Sequence, residues 1–115
     1  MREFQRRQIW LVNFDPSFGH EYQKVRPAII IQNEKYITSS QLLTVIPISS
    51  QTSKFTELDI YLKKDLMNRL MKDSLLKIKQ ISSFDKRRFV KLIGIINHQI
   101  LEQIDQNLQL FLFGQ

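Results

Sequence analysis

The stretch Val25-Arg26-Pro27-Ala28-Ile29-Ile30-Ile31-Gln32-Asn33 decides the fold. Three β-branched isoleucines in a row, bounded by Pro27 and the polar pair Gln32-Asn33, are too short for a helix and pack well on a pleated surface. They predict a strand buried on both faces. Pro27 has no backbone N–H to give to a ladder, so it is expected to begin the strand and not to sit inside it. Arg26, just before it, carries a permanent charge on a rigid fork of donors suited to a phosphate. The residues alone leave two readings of Arg26 open: an anion clamp at the mouth of a buried strand, or a cap for a carboxylate such as Glu21 or Asp15.

Outward from that strand, the 115 residues predict one domain over 1–115, large enough to bury a core without staples. The chain has no cysteine, which excludes disulfides, thiolate metal sites and a cysteine nucleophile together. Its histidines, His20 and His98, stand far apart without metal-ligand spacing, so neither a metal nor another cofactor is expected. With 17 Lys and Arg against 11 Asp and Glu, the formal charge of +6 favours a polyanionic partner. No apolar run approaches the roughly 18 residues that cross a bilayer, and no signal-peptide core follows Met1, which predicts a cytoplasmic protein away from membranes.

Ile9 to Phe14 alternates like a half-buried strand around Trp10 and Val12. Asp15-Pro16-Ser17-Phe18-Gly19 breaks it, and the polar His20 to Lys24 completes a loop of about ten residues, longer than a usual hairpin connection. A second polar connection, Glu34 to Gln41, leads to a buried strand over Leu42 to Ile48, followed by the hydroxyl-rich tip Ser49-Ser50-Gln51-Thr52-Ser53. Leu58, Ile60 and Leu62 alternate as a strand. Leu66, Met67, Leu70 and Met71 recur at helical spacing, predicting a short core-facing helix or turn within Lys64 to Lys72. Strand character resumes over Leu75 to Ile81, Ser83 is placed to cap a turn through Asp85 to Arg88, and Phe89 to Ile96 reads as a strand around Gly94. Asn97 caps an amphipathic helix to about Leu110, striped by Ile100, Leu101, Ile104 and Leu108. The expected fold is mainly β with short helices: a small, strongly curved antiparallel sheet or partial barrel with a C-terminal helix.

Read in order, Ile9-Trp10-Leu11-Val12, Asp15-Pro16, Gly19-His20-Glu21, Arg26-Pro27-Ala28, Gln32-Asn33, Pro47-Ile48-Ser49-Ser50, Asp73-Ser74, Gln80-Ile81 and Phe84-Asp85-Lys86 resemble the MazF/PemK/Kid family of toxin ribonucleases. The likeness runs from about Arg7 into the C-terminal helix. It implies the curved sheet shared by the MazF, CcdB and Kid toxins and a homodimer. It also implies metal-independent cleavage of single-stranded RNA and a cognate antitoxin that covers the RNA site.

On this resemblance Arg26 is the expected phosphate clamp, and Ser49 stands where the family carries Thr or Ser after the Pro-Ile pair. His20 is the near-neutral proton carrier close to Arg26, whereas Glu21 either holds the arginine fork or acts as a base. Tyr22, Lys24, Ser50, Lys77, Lys79 and Gln80 are expected along the RNA. Two departures stand out. Lys79 occupies a place where some members carry an acidic residue, and Tyr22-Gln23-Lys24 replaces glycines before the arginine, so that Tyr22 could stack a base. The competing reading is a non-catalytic toxin of the same fold: a gyrase poison of the CcdB type, for which Leu110-Phe111-Leu112-Phe113 would be the exposed end, or an inactive RNA binder. Core or dimer packing is the expectation for those four residues.

Overall fold

The computed structural model describes residues 3–14 and 25–115. The isoleucine run forms β2 (Val25–Ile30), paired antiparallel with β1 (Gln8–Asn13) on one side and β3 (Leu42–Ser49) on the other. Its side chains feed two cores. Ile29 joins Ile9, Ile46, Ile48 and Ile104, and Ala28 and Ile30 join Trp10, Val12, Leu43, Val45 and Phe89. A strand that divides two apolar layers has no solvent face, which is why the run lacks polar alternation. Pro27 sits inside β2 and not at its start, contrary to expectation. Pairing to β3 begins only at Ala28, so on that side no ladder partner stands opposite the proline.

The remaining strands are β4 (Ile60–Leu62), β5 (Ser74–Leu76), β6 (Ser82–Asp85) and β7 (Phe89–Ile95). They complete a 7-stranded sheet ordered β4-β5-β3-β2-β1-β7, with β6 paired to β3. β3 serves two neighbours in succession: Leu42 to Val45 pair with β6, and Ile48 and Ser49 pair with β5. Register shifts in the β1–β7 pair, after Ile9 and again after Leu11, mark irregularities of the kind that bend a strand. The sheet curves without closing, as expected of a partial barrel. Helix α1 (His98–Phe113) lays Leu101, Ile104 and Leu108 on the first core. Asn97 caps it, its side-chain oxygen accepting from the Ile100 N–H at 2.8 Å. No helix among the described residues is long and apolar enough to cross a membrane.

Several local expectations are corrected. Of the helix or turn expected over Lys64 to Lys72 the turn forms, with Leu70 packed on the first core, but Leu66 and Met71 are 97% and 90% exposed instead of core-facing. Strand character over Leu75 to Ile81 is interrupted at Lys77 by a 3-10 turn, Ile78–Gln80. The turn Lys86–Arg88 is capped by Asp85, which accepts from the Arg87 N–H at 2.8 Å. Arg87 also grips the Asp85 carboxylate from its side chain, and it holds that carboxyl well below the usual range. Ser83 instead shares a hydrogen bond with the Thr44 hydroxyl across the β3–β6 pair at 2.7 Å. The helix runs past Leu110 to Phe113, and Leu110, Phe111, Leu112 and Phe113 are exposed on the single chain, which leaves dimer packing and not core packing of the two alternatives expected for them.

Candidate functional site

Antiparallel pairing of β2 with β3 sets Ala28 opposite Pro47, so Arg26, before Ala28, and Ser49, after Pro47, lie toward the same end of the strand pair. Both residues, with Ser50, line one groove of about 890 Å³. Arg26 is exposed, and Ser49, the last residue of β3, is half-buried. The Ser49 hydroxyl accepts from the Gln51 N–H at 3.2 Å, which leaves its own proton to donate.

The groove also gathers cations that sequence reasoning missed: Arg69, Lys72 and Lys91. Among the described residues no ion pair engages any of them, nor Arg26. No carboxylate and no imidazole from the described residues lines the groove. From these residues the groove therefore supplies charge and hydroxyl donors rather than a proton acceptor.

Arg69 reaches the groove from a turn built by side chains. The Asp65 carboxylate accepts from the N–H groups of Met67 and Asn68 at 2.8 and 2.7 Å. Asn68 is buried; its amide oxygen accepts from Asp65 and Leu70, both at 3.0 Å, and its amide nitrogen donates to the Lys63 carbonyl. These local bonds compete with a helix and win, although the apolar spacing imitates one. The Arg69 N–H closes the turn on the Asp65 carbonyl at 3.0 Å, and Arg69 itself takes φ 56°, a left-handed position where glycine is the ordinary choice. A side chain there costs about 1–2 kcal/mol. The turn is docked on β7: the Ile95 N–H donates to the Met67 carbonyl at 3.1 Å, and Gly94 lies so close that a Cβ would stand 2.5 Å from the carbonyl oxygens of Met67 and Asn68.

The other expected RNA contacts are placed differently. Lys77, Lys79 and Gln80 do not line the groove. The Lys77 ammonium is committed to the Asp59 carboxylate at 2.5 Å, with the two side chains 12% and 1% exposed. Lys79 and Gln80 lie exposed on the 3-10 turn. His98 stands at the start of α1 against Arg7, also outside the groove. His20, Glu21, Tyr22 and Lys24 fall outside the described residues. No group of three or more metal-ligand side chains gathers among the described residues.

Comparison with known proteins bears on this arrangement. The family model for the PemK-like, MazF-like toxin of type II toxin-antitoxin systems matches residues 5–112. The chain is 30% identical over 113 residues to Endoribonuclease MazF9 of Mycobacterium tuberculosis, covering 94% of this chain and 95% of that protein. Among solved structures, MazF of Deinococcus radiodurans matches with a TM-score of 0.75 at 22% identity over 96% of each chain. An endoribonuclease in complex with its cognate antitoxin from Mycobacterial species matches with a TM-score of 0.73 at 12% identity, covering 93% of this chain and 92% of that one. At such identities the structural likeness speaks for the fold.

Proposed function

Because this chain belongs to the PemK-like, MazF-like toxin family of type II toxin-antitoxin systems, we propose that it is a cytoplasmic, homodimeric endoribonuclease of one domain, restrained by a cognate antitoxin. Its substrate is single-stranded RNA. The observation that carries the reading is the meeting of the Arg26 fork and the Ser49 hydroxyl in one groove that none of the described carboxylates enters. An anionic strand entering it meets cations whose charge no side-chain carboxylate of the described residues has already neutralised.

RNA brings its own nucleophile. The ribose 2′-oxygen attacks the adjacent phosphorus, its bond to phosphorus forms as the bond to the 5′-oxygen breaks, and the products are a cyclic phosphate and a free 5′-hydroxyl. The 2′-hydroxyl proton passes to a base, and a proton returns to the departing 5′-oxygen. Arg26 meets the charge that grows on the non-bridging oxygens, where a preorganised fork is most effective. Ser49 donates to a phosphate oxygen or orients the 2′-hydroxyl. The proton work is assigned to His20 or Glu21, since no described residue of the groove suits it. Tyr22, Lys24 and Ser50 are kept as RNA contacts. Lys77 is not, because its charge is already paired with Asp59. The gyrase-poison reading is not carried forward, since a relative that matches along nearly the whole chain is named an endoribonuclease.

The test is incubation of the purified protein with mixed-sequence RNA in EDTA. Wild type should release fragments ending in cyclic phosphate, and Arg26→Ala should slow cutting about 10²–10³-fold while keeping its thermal midpoint. Intact RNA with wild type, or undiminished cutting by the variant, would refute the reading.

A further inference from the structure

A left-handed backbone at a non-glycine residue persists only where the surroundings over-determine it, and such positions cluster where a side chain has work to do. Arg69 is so constrained, by Asp65 and Asn68 on its own turn and by the close seat of that turn on Gly94. The conformation aims no part of the arginine at an internal partner: no ion pair or side-chain hydrogen bond of Arg69 is formed within the described fold. Its side chain lines the groove of Arg26 and Ser49, where the described residues supply no anion. A planar, rigid fork kept there at a backbone cost matches an anion that arrives with a ligand.

Arg26 is assigned to the scissile phosphate, so a second fork lining the same groove has the next anion of the same strand to bind. We propose that Arg69 binds a phosphate flanking the scissile one and so fixes where along the groove the RNA lies; this rests on the endoribonuclease reading. Lys72 and Lys91 line the same groove but carry compact charges on flexible stems, which attract a strand without fixing its register.

The decisive substitution is Arg69→Gly, because glycine suits the left-handed position and removes only the side chain. Wild-type cutting of mixed-sequence RNA is established first; its failure sinks the endoribonuclease reading and this inference with it. Cleavage kinetics then use a short single-stranded RNA spanning a mapped cut site. Arg69→Gly should raise KM about tenfold, the weight of a charge-assisted hydrogen bond, with kcat within about twofold of wild type.

Binding is read by fluorescence anisotropy of the same RNA in the Arg26→Ala background, over about 0.05 to 0.3 M KCl. Adding Arg69→Gly should flatten the slope of log K against log salt by about 0.7, one phosphate contact on a single strand. The thermal midpoint should be equal to or above that of wild type, and Arg69→Asn, which tolerates the same backbone, should behave as the glycine variant does. Unchanged KM and salt slope in a variant that cuts would overturn the inference. So would a lowered midpoint with KM intact, which would make Arg69 a purely structural residue.

Discussion

Replacing Lys77 with methionine keeps much of the stem and removes the charge, and its cost follows from what stays behind. Asp59 is 1% exposed at its side chain, and one of its oxygens, Oδ1, has no hydrogen-bond partner among the described residues. The other accepts from Lys77 at 2.5 Å, from the Thr56 N–H at 2.7 Å and from the Thr56 hydroxyl at 2.9 Å. Without Lys77 a buried carboxylate is stranded, and breaking such a pair from one side costs about 3–5 kcal/mol. Adding Asp59→Asn removes the stranded charge while leaving an oxygen for Thr56, so the double variant should recover to within about 1–2 kcal/mol of wild type. Acid sharpens the test. Burial pushes the Asp59 carboxyl up, but the hydrogen bond from Lys77 and then those from Thr56 outweigh it and hold the group below its ordinary value. A carboxyl lowered on folding contributes stability above the unfolded value of about 4, and that contribution is lost as pH falls through the lower folded value. In Lys77→Met burial prevails and the carboxyl rises, so the variant gains stability as pH falls from 7 toward about 4. Urea unfolding at those two pH values should therefore show a gap between variant and wild type that narrows in acid. A gap under about 1 kcal/mol at neutral pH, or one that does not narrow, would refute the account of this pair.

Two other substitutions probe how the groove is built. Gly94→Ala places a methyl 2.5 Å from two backbone oxygens of the Arg69 turn, and the forced shift should cost about 2–3 kcal/mol by urea unfolding and raise KM for RNA along with it. Asn97→Ala removes the cap that accepts from the Ile100 N–H and should cost about 1 kcal/mol in the same measurement, without changing kcat if α1 still packs.

What was legible in the sequence was what repeats at short range. The isoleucine run, the alternation around Trp10 and the Asn97 cap each reflect a pattern that one element satisfies by itself, and β2, β1 and α1 appear where those patterns stand. Lys64 to Lys72 misled because Leu66, Met67, Leu70 and Met71 imitate a helical stripe, whereas Asp65 and Asn68, residues that bond their own backbone, hold the turn. The polar pair Asp65 and Asn68 was the available signal for Arg69. Lys77 could not be read as the partner of Asp59, because β4 and β5 must pair before the two meet. Arg26 and Ser49 were singled out by type and by resemblance. Their shared groove depends on the register of β2 against β3, which neither residue encodes alone.

Because β2 divides the two cores, the strand bearing Arg26 cannot shift without opening both hydrophobic layers at once. The turn of Arg69 is seated on β7, which stands two places from β2 in the sheet. Two rates of evolutionary change follow from this division: the place of Arg26 is inherited with the architecture itself, whereas the exposed side chain at position 69 can be exchanged without disturbing either layer.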